Sequence, residues 1–263
     1  MKNIKIDNHM VIYDSYNIEN KPELTEFLES EKLVKILENL KQDVIMVLGW
    51  DGTILKAIRK HYKQEKAFLP INFGSKWFLL NDKEFVNENS EFETKEYPLI
   101  DLRVKTENDV FTDVAFNEVV LKDIDWKMVD VNIAINNKKS FDLQGDWLLV
   151  STPAWSTGYN SSLHWPLLPH NSKSFVVTFM AAWKPKLKTP AVVKNSSVIK
   201  IKNQNRISSV IVLADWNEVL KTKKNEEIKL IIKKSKYNVN LLIEKSYMED
   251  WDNKVLEEQG FNN

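Results

Sequence analysis

The stretch Val44 to Leu55, VIMVLGWDGTIL, constrains this chain more than any other. Val44-Ile-Met-Val-Leu48 is a short, branched, wholly apolar run with the length of a strand buried on both faces. It stops at Gly49-Trp50-Asp51-Gly52-Thr53, and apolar residues then recur at Ile54, Leu55, Ile58 and Tyr62 with helical spacing. A buried strand that turns into a helix is the building unit of a parallel α/β sheet. Such a turn also points backbone N–H groups and a helix N-terminus at an anion, typically a phosphate. An acidic side chain there repels a phosphate unless it handles a metal or a proton. Asp51 is therefore the candidate catalytic group, with Gly49, Trp50, Gly52 and Thr53 as the turn around the ligand. Trp50 fits that turn poorly.

The segments around this stretch repeat its logic. His9 to Tyr13 reads as a strand, Pro22 to Leu40 as a helix, and Phe68 to Phe73 as another strand ending at Gly74. Strands alternating with helices predict a parallel α/β unit, with ligands at the carboxyl ends of its strands. From Tyr97-Pro98 the pattern changes. Val129, Val131, Ile133 and Ile135 alternate, and short strands are expected at 99–104, 110–121, 175–179, 198–201, 207–213, 227–232 and 239–243. Turns fall at Asn136-Asn137 and Asp215-Trp216. The expected fold is α/β plus all-β: a Rossmann-like N-terminal domain over residues 1–97, then a β-sandwich-like domain over 98–244. The polar tail, 245–263, is expected to return as a helix to the first domain.

Composition narrows the function classes. Formal net charge is zero, which favours neither nucleic acid nor a membrane surface as partner. There is no cysteine, so neither a disulfide framework nor a thiolate site is available. The N-terminal residues carry no apolar leader segment and no apolar run reaches a membrane-span length, so a soluble cytoplasmic protein is expected. None of His9, His61, His164 and His170 has metal-ligand spacing, and a structural or solvent-facing role is expected for each. The lysine clusters at 184–188, 221–224 and 233–236 read as solvated loops and strand faces.

Two counts are out of line. Glycine occurs 6 times and tryptophan 9 times in 263 residues. Four of the tryptophans follow aspartate, in Asp125-Trp126, Asp146-Trp147, Asp215-Trp216 and Asp250-Trp251. Asp-Gly is a strong turn dipeptide because glycine takes positive φ freely; Asp-Trp has no such logic. Trp155 lies in the small, polar run Ser151-Thr-Pro-Ala-Trp-Ser-Thr-Gly158. The economical expectation is that many of these positions are glycine in the living protein, as when a UGA codon read as glycine is translated as tryptophan. That would restore an ordinary glycine share of about 6%. Taken literally, the chain should be crowded at Trp50, Trp77 and Trp155.

With those positions read as glycine, four stretches fall into one pattern. They are G-G-D-G-T at 49–53, N-x-G-x-x-G-F-L at 72–79, Asn117-Glu118 before an apolar strand, and G-D-G-L-L-V-S-T-P-A-G-S-T-G-Y at 145–159. In order and spacing, from about residue 44 to 220, this resembles the NAD kinase family. The G-G-D-G-T turn alone is shared with lipid and sugar kinases; the long 145–159 stretch is the more specific part. Asp215-Trp216 resembles the D-G turn that the family carries late in its β region.

The resemblance implies transfer of a phosphoryl group from ATP or another donor to the adenosine 2′-hydroxyl of NAD, giving NADP, with Mg²⁺ or another divalent cation. Such transfer asks the protein mainly to position and stabilise charge. Asp51 would accept the hydroxyl proton. Asn117 and Glu118 would contact the adenosine part of NAD, and Asp146 the nicotinamide-side ribose or amide. Thr157, Gly158, Tyr159 and Ser162 would line the dinucleotide pocket, with Phe78 beside it. Association into a homodimer or homotetramer is implied in the same way. Two departures affect the pockets: Gln144 stands where many members have arginine, and Thr178 to Pro185 matches the family run poorly, which leaves Ala181 and Ala182 without an assigned contact. The rival readings are a lipid or sphingoid-base kinase sharing the turn, and a non-catalytic NAD-binding protein if the tryptophans are genuine.

Overall fold

Branched apolar runs become buried strands, and alternating runs become the faces of a sandwich. The computed structural model describes residues 1–14, 21–74, 80–125, 127–155, 168–169, 171–183, 190–204 and 208–246. The chain divides into two units, Met1–Glu96 with the chain from Tyr237 onward, and Tyr97–Lys236.

In the first unit β1 (Lys2–Ile6) and β2 (His9–Tyr13) make an antiparallel hairpin turning at Asp7, whose φ is +51°. Helices α1 (Pro22–Glu29) and α2 (Glu31–Glu38) follow, then β3 (Val44–Gly49), α3 (Asp51–His61), β4 (Ala67–Asn72) and the short β5 (Asn81–Asp82). Strands β2, β3, β4 and β5 pair in parallel in that order. Every residue of β3 is buried, as expected for a central parallel strand covered on both faces. The single helix expected over 22–40 is two helices. Ser30 between them is extended, accepts from the Leu33 N–H at 3.4 Å and donates to the Phe27 carbonyl at 2.7 Å, so it caps α2 instead of continuing α1. Leu24, Phe27, Leu33, Ile36 and Leu37 pack on Val44, Met46, Leu48, Leu69 and Ile71 to form the core.

The second unit is all β. Its strands are β6 (Phe92–Lys105, entering from the first unit), β7 (Val110–Ala115), β8 (Glu118–Asp123), β9 (Val129–Ile135), β10 (Phe141–Gly145), β11 (Trp147–Ser151), β12 (Ser174–Met180), β13 (Ala191–Lys194), β14 (Ile199–Asn203), β15 (Val210–Ala214), β16 (Asn217–Lys221) and β17 (Lys229–Glu244). A six-stranded antiparallel sheet runs β13-β12-β11-β8-β15-β16. Opposite it, β14 pairs with β9 and β17, β9 with β10, and β6 with β7. The inner faces share one core, in which Val119, Leu121, Leu148, Val150 and Val212 meet Leu102, Val131, Ile133, Ile201 and Leu230. This is an α/β unit followed by a β-sandwich, the fold class expected from the sequence.

Two strand expectations change. The run 110–121 is two strands in different sheets, broken at Phe116-Asn117. The runs 227–232 and 239–243 join into the single strand β17, whose end pairs in parallel with β4 through Leu241 and Phe68. The chain thus rejoins the first unit from Tyr237, inside a strand. The tail in which that return was expected lies, past Ser246, outside the described residues. Buried Asn81 secures the join within the first unit: its amide donates to the Pro70 and Leu242 carbonyls at 2.8 Å each and accepts from the Glu244 N–H at 2.7 Å. Among the described residues, no helix is long and apolar enough to cross a membrane.

Candidate active site

The turn after β3 is built by close approach. A Cβ on Gly49, whose φ is +157°, would come within 2.6 Å of the Thr53 hydroxyl oxygen, so only glycine fits there. The Trp50 carbonyl accepts from the N–H groups of Thr53 at 2.8 Å and Ile54 at 3.2 Å, closing the first turn of α3 with Asp51 at its head. The turn after β4 lies against it. The Phe73 N–H donates to the Gly49 carbonyl at 2.9 Å, and the Gly74 N–H to the Asn72 side chain at 2.8 Å. The carboxyl ends of two adjacent parallel strands therefore meet at Asp51, where ligands bind in such sheets.

Trp50 packs against both turns. A Cβ on Gly74 would come within 2.9 Å of the Trp50 Cβ, and one on Gly52 within 3.4 Å of its indole nitrogen. The ring lies beside the Gly52 backbone. The Trp50 backbone itself is extended, at φ −121° and ψ −173°. What fills the space beside Gly52 and Gly74 is thus the Trp50 side chain. Trp77, with neighbouring Phe78, and the side chain of Trp155 lie outside the described residues.

Asp51 is half-buried, and burial raises its pKa from the usual carboxylate value to about 7. A carboxylate that takes up a proton near neutrality suits general-base work.

In the second unit Asn117 and Glu118 form a corner between β7 and β8. Both are fully buried, yet none of their side-chain polar atoms has a hydrogen-bond partner among the described residues. Burial lifts Glu118 well above the usual carboxylate range, and the negative charge of Asp215 lifts it further. Buried polar groups without partners are costly, and four such atoms on adjacent residues make this corner a candidate for binding a ligand. The backbone of the same corner is held firmly. Asp215 accepts from the N–H groups of Phe116 at 2.9 Å, Asn117 at 2.8 Å and Glu118 at 3.3 Å. Thr152 donates its hydroxyl to the Phe116 carbonyl at 2.5 Å and its N–H to the Asn117 carbonyl at 2.9 Å. Sequence reasoning left Thr152 and Asp215 without roles, although the Ser151-Thr152-Pro153 segment and the Asp215-Trp216 turn were both conspicuous.

Asp146 is exposed, in the link between β10 and β11. It lies at the opposite end of β11 from Ser151, roughly 16 Å away at the strand rise, so it does not join the Asn117-Glu118 corner. Its neighbour Gly145 is required by space: a Cβ there would meet the Met180 carbonyl oxygen at 2.8 Å. Gln144, where family members often carry arginine, donates to Asp130 at 3.0 Å. His9 accepts from the Val44 N–H at 3.2 Å, and buried His61 pairs with Gln64 at 2.9 Å, so both serve the structure. Thr157, Gly158, Tyr159, Ser162, His164, His170 and the lysines at 184–188 lie outside the described residues.

Comparison with known proteins gives the family and the fold. Residues 116–242 match the family model for the ATP-NAD kinase C-terminal domain. The NAD kinase of Xylella fastidiosa is 30% identical over 182 residues, covering 67% of this chain and 70% of that protein. The NAD kinase of Rhizobium meliloti is 28% identical over 229 residues, covering 83% and 85%. Among solved structures, yeast NADH kinase complexed with NADH superposes with a TM-score of 0.69 at 16% identity, covering 86% of this chain and 69% of that one. An Archaeoglobus fulgidus NAD kinase in complex with ATP superposes with a TM-score of 0.62 at 23% identity, covering 93% and 97%. An α/β unit followed by a β-sandwich is the fold that this chain shares with these solved kinases. This chain belongs to the NAD kinase family.

Proposed function

We infer that this chain is an NAD kinase, phosphorylating the 2′-hydroxyl of the adenosine ribose of NAD to give NADP, with ATP or another phosphoryl donor. The observation that carries the chemistry is Asp51, at the head of α3 with a pKa of about 7. As the carboxylate it takes the proton of the attacking hydroxyl, while the turn at 49–53 holds the donor's phosphates. Asn117 and Glu118 meet the adenosine part of NAD with their unpartnered polar atoms. Thr157, Gly158, Tyr159, Ser162 and Phe78 line the rest of the dinucleotide site, and Asp146 serves the nicotinamide side. Mg²⁺ is proposed to arrive with the donor's phosphates; among the described residues, no cluster of three histidine, aspartate or glutamate side chains stands ready to hold it. A cytoplasmic homo-oligomer is part of the same reading.

Position 50 is proposed to be glycine in the active protein. The support is local: the indole lies beside Gly52, and a second tryptophan, Trp216, sits at φ +61° in a two-residue turn that favours glycine. The test is an assay of NADP formation with Mg²⁺-ATP, using the literal chain and one carrying glycine at all nine positions. NAD, NADH and a sphingoid base serve as acceptors. NADP from the glycine chain alone is the expected result. No NADP from either chain, or phosphorylation of the lipid in preference, would overturn the reading. Sequencing the nine codons tests the glycine assignment separately, since UGG at these sites would defeat it.

A further inference from the structure

We propose that Asp215 is the positioning residue of the dinucleotide site, fixing the Asn117-Glu118 corner so that the two side chains meet NAD in register. The proposal rests on the assignment of that corner to NAD. Asp215 is 4% exposed and lies 97 to 99 residues along the chain from the groups it holds. One carboxylate oxygen takes the Phe116 N–H, the other takes those of Asn117 and Glu118, and the Asp215 N–H returns a bond to the Glu118 carbonyl at 3.0 Å. Three backbone donors converge on this one buried carboxylate, and hydrogen bonds of that kind stabilise its charged form.

What the clamp leaves unbound is as informative as what it binds. It occupies the backbone N–H groups of the corner and none of the side-chain atoms of Asn117 and Glu118, which stay buried and, among the described residues, unpartnered. At this corner β7 leaves one sheet and β8 enters the other, so the run at 110–121 would otherwise continue as one strand. An uninterrupted strand would send alternate side chains to opposite faces and turn Asn117 away from Glu118. The tight turn at Asp215-Trp216, with φ of +48° and +61°, delivers the carboxylate to this point, and Asn217 braces it by donating to the Asp215 carbonyl at 2.9 Å.

The test uses Asp215→Asn in whichever chain forms NADP, with steady-state kinetics, NAD titration and thermal unfolding. Asparagine keeps the shape and one acceptor but turns an N–H₂ toward a backbone N–H. The expected result is a KM and dissociation constant for NAD raised about tenfold, with kcat and the KM for ATP within about twofold, as for a lost uniform binding interaction. Asp215→Glu, which keeps the charge, is expected to recover part of the affinity. Removal of the Asp215 charge also lowers the pKa of Glu118, so the alkaline limb of the NAD-binding profile moves to lower pH. Unchanged NAD affinity, or a loss of kcat in step with a collapse of the melting temperature, would overturn the proposal and leave Asp215 a fold residue alone. Failure of the underlying reading looks different: the unsubstituted chain would then form no NADP.

Discussion

Ser151 stands directly across from Glu118 in the ladder between β11 and β8, and neither the hydroxyl nor the carboxyl has a hydrogen-bond partner among the described residues. Both lie on the face of the six-stranded sheet that also carries Val120 and Leu149, away from the sandwich core. A carboxyl kept from water and facing a hydroxyl is held in its neutral form, able to donate a hydrogen bond as well as accept one. Glu118→Gln is therefore expected to keep NAD affinity within about threefold, while Glu118→Ala loses more than about tenfold. Equal losses in the two variants, measured by titration, would show that the ionised form is the one that binds. Because the folded pKa is raised, the stability associated with this group is lost as pH rises, so Glu118→Gln should also stabilise the fold progressively above the usual carboxylate range.

Asp51 predicts a pH profile. Its folded pKa of about 7 lies above the ordinary aspartate value, so the basic form required for proton transfer accumulates only as pH rises through neutrality. The kcat/KM for NADP formation should rise on an acid limb centred near that value. Asp51→Asn should lower kcat by about 10²–10⁴-fold, the range for a lost general base. The same substitution removes a buried negative charge. Stability should therefore increase in the variant, with a gain that grows between about pH 4 and 7 and then levels off. Thermal unfolding across that range checks the sign, and a variant equally stable at every pH would contradict the burial argument.

Trp216→Gly should stabilise the protein. A bulky residue in the left-handed region costs about 1–2 kcal/mol. Against this, the edge-on contact of Trp216 with Trp147, at 5.9 Å between ring centres, is worth about 0.5–1.5 kcal/mol. Trp216 is 44% exposed, which puts the contact at the low end of its range. The balance favours glycine by about 0.5–1.5 kcal/mol. Chemical denaturation would reveal this as a raised midpoint with an unchanged slope.

Asn81→Ala tests the join between β4 and β17. It strips the Pro70 and Leu242 carbonyls of their donor and the Glu244 N–H of its acceptor, all in a buried setting. Each orphaned group costs about 1–3 kcal/mol, so a loss of roughly 3 kcal/mol or more is expected. Asn81→Asp should be no better, since a carboxylate cannot donate to the two carbonyls. Activity below the melting transition should survive, because Asn81 takes no part in the proposed chemistry.

Much of the architecture was legible in the chain itself, wherever near neighbours carry the signal. The apolar run before Gly49 and the helical spacing after Asp51 predicted β3 and α3. The clean alternation at Val129 to Ile135 predicted β9. Turn chemistry marked Asn136-Asn137 and Asp215-Trp216, and all four residues have positive φ. Asp51 could be singled out because an acid in a phosphate-facing turn is chemically odd. Its pKa could not, because that depends on how much of the folded chain covers it.

The remainder depended on contacts between distant residues. Periodicity runs straight through Phe116-Asn117, while the chain breaks into two strands there and hydrogen bonds with Thr152 and Asp215 hold the corner. The reverse holds at β17, where the polar residues at 233–238 suggested a gap that strand pairing closes. The sequence alone determined which elements form and which side chains can do chemistry, since those follow from local stereochemistry and spacing. The tertiary structure decided which of these side chains are kept from water and left without partners, because desolvation and hydrogen-bond satisfaction are set by residues a hundred positions away.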